Sequence, residues 1–168
     1  EEALIGENVL GTDLTGLGSN AGKYEPNLLK DEYSATTKTI NCSYYRNLEL
    51  YFHRWLNIDV LDNDSASLYY SIDNGSTWEP FWHNRNVGAT LENNWNRVSY
   101  SLPEEIEYQS EVKLKIAVGA TNGTKQYSGW NIDKLALIGD YISIDLAVNE
   151  ITKPVDGCGH SSEDTVIA

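Results

Sequence analysis

The sequence predicts an all-β domain, an antiparallel two-sheet β-sandwich of the jelly-roll type. Apolar residues recur with a period of two instead of the three-and-four spacing of helices, most clearly at Val112, Leu114 and Ile116, which alternate with polar residues. Polar turns containing Asn and Gly separate these alternating runs. Short alternating runs between such turns are typical of strands that pair in antiparallel order.

Each predicted strand has one apolar face. Leu48, Leu50 and Phe52 fall on the same side of one strand, and a second strand alternates from residue 66 to residue 72. The turn at residues 73–76 follows at once and predicts a hairpin, because its Asn and Gly tolerate positive φ. Further strands are predicted over residues 36–41, 96–102, 111–118 and 130–138, and a similar turn at 121–124 is expected to close the third of these.

Length and charge limit the function classes. The 168 residues suffice for one domain with a fragment of a neighbour, and 25 acidic residues against 12 basic ones give a formal charge of −13. Such a surface repels phosphate backbones and anionic lipid, so nucleic acid and membranes are not expected partners. No run of 18 apolar residues is present, so no membrane insertion is expected, and the start lacks a signal-peptide pattern.

The composition changes near residue 142. Residues 1–142 form the predicted sandwich module, whereas residues 143–168 contain Pro154, Gly157 and Gly159 before a short apolar end. We interpret residues 143–168 as a linker and the truncated start of a following β module. The chain begins without methionine, so we expect it to be a segment of a longer protein.

Three phrases carry a resemblance to a known family. They are Arg54-Trp55-Leu56, the Ser-Ile-Asp-Asn-Gly-Ser-Thr-Trp run at 71–78, and Gly-Trp-Asn-Ile-Asp at 129–133. Residues 9–140 resemble the MAM-like jelly-roll modules of large secreted or cell-surface prokaryotic proteins, found beside immune-inhibitor-A-type peptidases and in adhesins. The resemblance implies a β-sandwich without catalytic machinery, often with a structural calcium ion. Residues 143–168 resemble the opening of an immunoglobulin-like adhesion module.

The resemblance also suggests metal ligands. Asp133 matches the family's metal-linked acid, and Asp13 lies on a segment that could run beside it, so Asp13 and Asp133 are the predicted calcium ligands. Hard cations such as calcium prefer six to eight oxygen ligands. Lys134 stands where family members often carry a second aspartate, which weakens the site. Alternatively, these are turn acids that bond their own backbone.

A carbohydrate site is predicted around Trp82. The face of an indole ring can stack on a sugar, and Asn84, Arg85 and Asn86 follow in a polar segment where they could bond hydroxyl groups. The alternative for Trp82 is packing in the core. Core or sheet-end packing is expected for the other four tryptophans, Trp55, Trp78, Trp95 and Trp130.

No catalytic constellation is found in the sequence. His53, His83 and His160 lie in unrelated contexts without metal-ligand spacing, and neither a nucleophile elbow nor a phosphate-binding loop is present. Cys42 and Cys158 could form a disulfide in an extracellular setting. The favoured alternative is two free thiols, with Cys42 buried as a small apolar residue.

The sequence therefore predicts a non-catalytic binding or spacer module. It would recognise carbohydrate or extracellular protein through end loops at 57–65, 82–94 and 119–128 and would be stabilised by calcium. The alternative is an accessory domain of a secreted peptidase that positions its neighbours and has no ligand of its own.

Overall fold

A computed structural model describes residues 3–14, 22–59, 64–86 and 90–143. They form two antiparallel sheets that pack face to face, which confirms the predicted β-sandwich. The five-stranded sheet contains β1 (Leu10–Gly11), β3 (Tyr45–Ile58), β6 (Thr90–Leu91), β7 (Asn96–Ser101) and β9 (Gly129–Tyr141). The four-stranded sheet contains β2 (Tyr33–Thr36), β4 (Ala66–Ser71), β5 (Glu79–His83) and β8 (Lys113–Val118), and short 3₁₀ turns occupy Asn84–Asn86 and Glu104–Ile106.

The strand order places the short strands β1 and β2 at the edges of their sheets. In the five-stranded sheet β1 pairs with β9, β9 with β3, and β3 with both β6 and β7 along its other edge. The four-stranded sheet has the order β2-β8-β4-β5. The short strands β1 and β2 are therefore edge strands, whereas the long strands β3 and β9 form the central ladder of their sheet.

The core lies between the inward faces of the two sheets. Leu48, Leu50 and Phe52 are buried, as their alternation predicts. Val112 and Leu114 are buried on the opposing sheet, so the two apolar faces exclude water from each other. The largest side chains without exposure include Tyr24, Phe52, Leu56, Ile58, Leu68, Ile106 and Val112.

Three predicted elements differ from the structure. The strand predicted at 36–41 is instead β2 at Tyr33–Thr36, followed by a single bridge between Ile40 and Val112. The turn at 121–124 does not close a hairpin, because the chain crosses from β8 to β9 in the other sheet. β4 is buried on both faces, because the side chain of Lys115 lies across the outward ring of Tyr69.

The hairpin turn between β4 and β5 is confirmed. Asn74 and Gly75 have φ values of 57° and 93°, the left-handed region that the turn requires. The Asp73 carboxylate accepts hydrogen bonds from the Ser71 hydroxyl at 2.6 Å and from the Thr77 amide at 2.9 Å. The Thr77 hydroxyl donates a further bond of 2.6 Å. These bonds lower the pKa of Asp73 because they favour the charged carboxylate.

The described residues end shortly after β9. The Ile142 amide donates to the Tyr44 carbonyl at 2.8 Å. The predicted linker and following module lie almost wholly outside the described residues. Among the described residues, no helix is long and apolar enough to cross a membrane.

The Asp73 turn predicts a pH dependence of stability. The folded state lowers the pKa of Asp73, so the stabilisation is complete above the unfolded pKa of about 4 and is lost as the pH falls through the folded value. Asp73→Asn removes this contribution, so the variant should melt below the wild type at neutral pH. The difference between the two melting temperatures should narrow below about pH 4. A difference that stays constant from neutral to acidic pH would contradict this role of Asp73.

Candidate functional site

The prediction of a sugar-stacking platform at Trp82 is wrong. Trp82 pairs with Leu68 across β4 and β5, so its ring points inward, and only 9% of the residue is exposed. Its ring lies 5.4 Å from that of Trp130 and 5.6 Å from that of Tyr100. An indole enclosed by the two sheets cannot offer a face to a sugar, and the packing alternative holds for Trp82.

The polar residues after Trp82 have structural contacts. Asn84 is fully buried; its side-chain oxygen accepts from the Ala66 amide at 3.0 Å and its nitrogen donates to the Asp64 carbonyl at 3.1 Å. Arg85 is exposed, and its backbone amide donates to Nδ1 of His83 at 3.0 Å. Asn86 ends the 3₁₀ turn. The sequence hypothesis grouped these residues with Trp82, but Asn84 serves to join the ends of two strands.

A guanidinium group packs against the ring of Trp82. Arg54 Cζ lies 5.5 Å above the Trp82 ring, and Arg54 Nε forms an ion pair with Glu92 at 2.9 Å. Arg54 also donates to the Tyr100 hydroxyl at 2.7 Å. The second Glu92 oxygen accepts from the Leu56 amide at 2.6 Å. A cation between two sheets requires such partners, because an unpaired buried charge is costly.

The predicted calcium ligands do not form one site. β1 does run beside β9 as expected, with Leu10 opposite Ile132. The pairing covers only Leu10 and Gly11, and Asp13 lies in the turn that follows, with a φ of 47°. Asp133 accepts from the Ile5 amide at 3.0 Å, and Asp13 accepts from the Gly22 amide at 3.2 Å. Each acid bonds a backbone amide of another segment, and Asp133 also accepts from the Lys134 amide at 2.6 Å, so the alternative of turn acids that bond their own backbone holds only in part.

Other candidate metal or catalytic groups are also apart. Within the described ranges, no three His, Cys, Asp or Glu side chains come together around a common point. Burial lowers the pKa of His83, with a smaller contribution from the nearby Arg85. Cys42 is a buried free thiol whose pKa is raised by burial, which confirms its assignment as a small apolar residue. Cys158 and His160 lie outside the described residues.

An open-edge cleft of about 350 Å³ lies between β1 and β2, where the two sheets separate. Its floor is apolar and includes Trp130, whereas Asp13 and Glu32 line its rim. Tyr33, which is 36% exposed, also lines it. Slight burial and the carboxylates of Glu25, Asp13 and Glu32 raise the pKa of Tyr33. The cleft is therefore acidic and does not suit an anion.

The outward side of the four-stranded sheet is basic, in contrast to the acidic cleft. Here Lys115 Nζ lies 4.3 Å from the Tyr69 ring centroid and 5.0 Å from the Trp78 ring centroid. Lys113 projects on the same side two residues earlier, and Lys30 Nζ lies 6.0 Å from the Tyr69 ring centroid. We call this surface, formed by Lys30, Tyr69, Trp78, Lys113 and Lys115, the lysine face.

Few carboxylates neutralise the lysine face. Asp31 lies 3.4 Å from Lys115 Nζ and also accepts the Tyr69 hydroxyl at 2.9 Å. Lys30 and Lys113 form no ion pair within the part of the chain that the structure describes. This surface therefore groups cations with aromatic rings in a protein whose acidic residues outnumber the basic ones by 25 to 12.

A second exposed feature is a tyrosine cluster at the end of β9. Tyr141 is 66% exposed, and its ring centroid lies 5.6 Å from that of Tyr45 and 6.3 Å from that of Tyr44. Ile138, nearby on β9, is also exposed and lines a second cleft of about 250 Å³. Clustered exposed rings of this kind are common where another domain docks.

The fold places the chain in the class of two-sheet antiparallel β-sandwich domains. Within that class, the family model described as Reelin subrepeat B matches residues 29–138, about two thirds of the chain. The chain therefore belongs to the Reelin subrepeat B family, a family of extracellular β-sandwich domains. A search of curated proteins found no match to the chain.

The family assignment refines the resemblance that the sequence suggested. The family is one of β-sandwich domains, and Reelin-type domains are extracellular, which agrees with the expected secreted or surface location. The MAM-like assignment and the association with immune-inhibitor-A-type peptidases are not confirmed by it.

The sequence hypothesis did not identify the lysine face, although part of its signal was present. Alternation places Tyr69 and Lys115 on the outward sides of their strands. The missing information was the register, which sets Tyr69 directly opposite Lys115 and Ser71 opposite Lys113. Pairing partners in a sheet depend on turns and distant strands, so the outward residues could be predicted but their grouping could not.

Proposed function

We propose that this chain is a non-catalytic binding and spacer domain of a larger extracellular protein, and that it recognises carbohydrate through the lysine face. The observation that carries the proposal is the grouping of Trp78 with Lys113 and Lys115 on an outward sheet surface. A partly exposed indole supplies a ring face for a sugar, and ammonium groups donate hydrogen bonds to its oxygens.

The position of Trp78 supports this use. Its ring edge lies beside Gly75, where an added Cβ would be only 3.3 Å from Trp78 Cζ2 and 3.5 Å from Lys113 Cδ. Trp78 and Lys113 are therefore immediate neighbours across the hairpin turn. The Asp73 hydrogen bonds hold the same turn, so the ring and the ammonium group sit on a defined backbone. A preorganised surface loses less entropy when it binds.

The binding proposal is tested by calorimetric titration of the chain against a panel of neutral and acidic glycans. We expect micromolar to millimolar binding to at least one glycan, and Trp78→Ala should weaken it about tenfold or more, because stacking buries ring surface. Trp95→Ala is the matched control, since Trp95 packs against Trp55 on the other sheet and should leave binding unchanged. Circular dichroism and melting show whether each variant is folded.

A second function, an accessory domain that positions neighbours in a secreted peptidase or adhesin, is favoured by the tyrosine cluster. The cluster surrounds the end of β9, directly before residues 144–168. Exposed rings beside a cleft suit the docking of a following domain. This alternative predicts no binding to any glycan in the same titration, and that result would contradict recognition at the lysine face.

Calcium stabilisation is a further proposal, supported by the excess of 25 acidic over 12 basic residues and by the oxygen preference of the ion. It concerns the domain as a whole, because Asp13 and Asp133 do not fit one site. If calcium binds the folded domain and its free concentration is a hundred times the dissociation constant, it stabilises the fold by about 2.7 kcal/mol. Adding a chelator should then lower the melting temperature by several degrees, and an unchanged melting curve would exclude this stabilisation.

A further inference from the structure

We infer that the carbohydrate recognised by the lysine face is an anionic polysaccharide, whose carboxylate or sulfate groups contact Lys113 and Lys30. The inference rests on the proposed carbohydrate binding and names the chemical class of the ligand. It is carried by two ammonium groups that have no carboxylate partner within the described residues, beside a third that shares one carboxylate.

The lysine face is distinguished by the grouping of its cations, in a chain whose acidic residues outnumber the basic ones by 25 to 12. Elsewhere on the chain, Arg54 pairs with Glu92 and Lys125 pairs with Asp59. On the lysine face the only ion pair among the described residues is that of Lys115 with Asp31. Three cations outnumber the two nearby carboxylates, Asp31 beside Lys115 and Asp73 in the adjoining turn, and the oxygens of Asp73 already accept from Ser71 and Thr77, so this surface is positive and complementary to an anion.

The net charge of −13 does not prevent such binding. At physiological ionic strength, charges more than about 8 Å apart in solvent are largely screened, so a bound anion is affected mainly by the groups nearest to it. The acidic rim of Asp13 and Glu32 belongs to the open-edge cleft between the sheets, whereas Lys113 and Lys115 point outward from β8. The two surfaces have opposite signs, so an anion is directed to the lysine face and away from the cleft.

The rings favour a polysaccharide as the anionic ligand. Trp78, which is partly exposed, lies beside Lys113 and 5.0 Å from Lys115 Nζ, so one flat apolar surface adjoins two charged groups, whereas Tyr69 is buried beneath Lys115. A pyranose with one acidic substituent presents the complementary pair of features, a C–H face that can stack on the ring and an adjacent negative charge that can pair with an ammonium group. The family's extracellular location also exposes this surface to acidic polysaccharides and not ordinarily to nucleic acid.

The test compares three polymers that share one backbone: dextran, carboxymethyl-dextran and dextran sulfate. The full 168-residue chain should bind at least one charged polymer and bind neutral dextran at least about tenfold more weakly. Lys113→Gln and Lys30→Gln should each weaken binding to the charged polymer several-fold. Raising the salt from about 0.05 to about 0.5 M should weaken it further, because screening increases.

Arg97→Gln is the charge-matched control. Arg97 Cζ lies 4.9 Å from the Tyr51 ring centroid on the five-stranded sheet, so it is also a cation over a ring but on the other sheet. Its substitution should leave binding to the charged polymer unchanged. An equal loss in Arg97→Gln would show unspecific attraction and overturn the inference.

Other outcomes separate this inference from the proposed function. If glycans of the wider panel bind through Trp78 but charged and neutral dextrans do not differ, carbohydrate recognition stands and the anionic class is overturned. If no glycan binds at all, both fail. If single-stranded DNA binds as tightly as the charged dextrans, the ligand class is wrong, because the surface then binds any polyanion and does not distinguish a polysaccharide.

Discussion

The guanidinium group of Arg54, held between the two sheets, constrains much of the rest of the structure. It projects from β3 over the ring of Trp82 on the opposing sheet, and its charge is matched by Glu92. Glu92 in turn accepts the Leu56 amide, and its carbonyl accepts the Trp55 indole, so the segment after β6 is held along the edge of β3. One partly buried cation thereby joins an edge segment, a tryptophan and a tyrosine through its contacts with Glu92, Trp82 and Tyr100.

Because both inward faces are occupied by this packing, recognition is left to the outward surfaces and the open edge. The lysine face lies on the outward side of β4 and β8, and the acidic open-edge cleft lies between β1 and β2. Both surfaces include residues of β8. Its inward residues line the cleft, and its outward lysines belong to the lysine face. A single strand thus presents opposite chemistry on its two faces.

The fold was predictable from alternation because burial follows the two-residue period. Leu48, Leu50 and Phe52 are all inside, and the Asn-Gly turn at 73–76 has the expected positive φ. The candidate site was not predictable in the same way. The pairing of β4 with β5 contains a β-bulge, because Leu68 lies opposite Trp82 but the next residue, Tyr69, lies opposite Pro80. The side of the sheet to which the Trp82 side chain points depends on that bulge.

The separation of Asp13 from Asp133 shows the same limit. The sequence correctly predicted that their segments run side by side, but Asp13 lies in the turn after β1 and Asp133 on β9, and each accepts hydrogen bonds from different backbone amides. Adjacency of strands is a property of the fold, whereas a binding site depends on register, bulges and the contacts between distant segments. For the same reason the lysine face could be found only once strand partners were known.

The most direct measurement of this account is the free energy of unfolding of Trp82→Ala in a denaturant titration. If Trp82 is packed between the sheets against Arg54, Tyr100 and Trp130, its removal should destabilise the fold by about 3–5 kcal/mol. Tyr141→Ala, which removes an exposed ring, should change stability far less, within about 0.5 kcal/mol. A Trp82→Ala variant as stable as the wild type would contradict the packing of the two sheets described above.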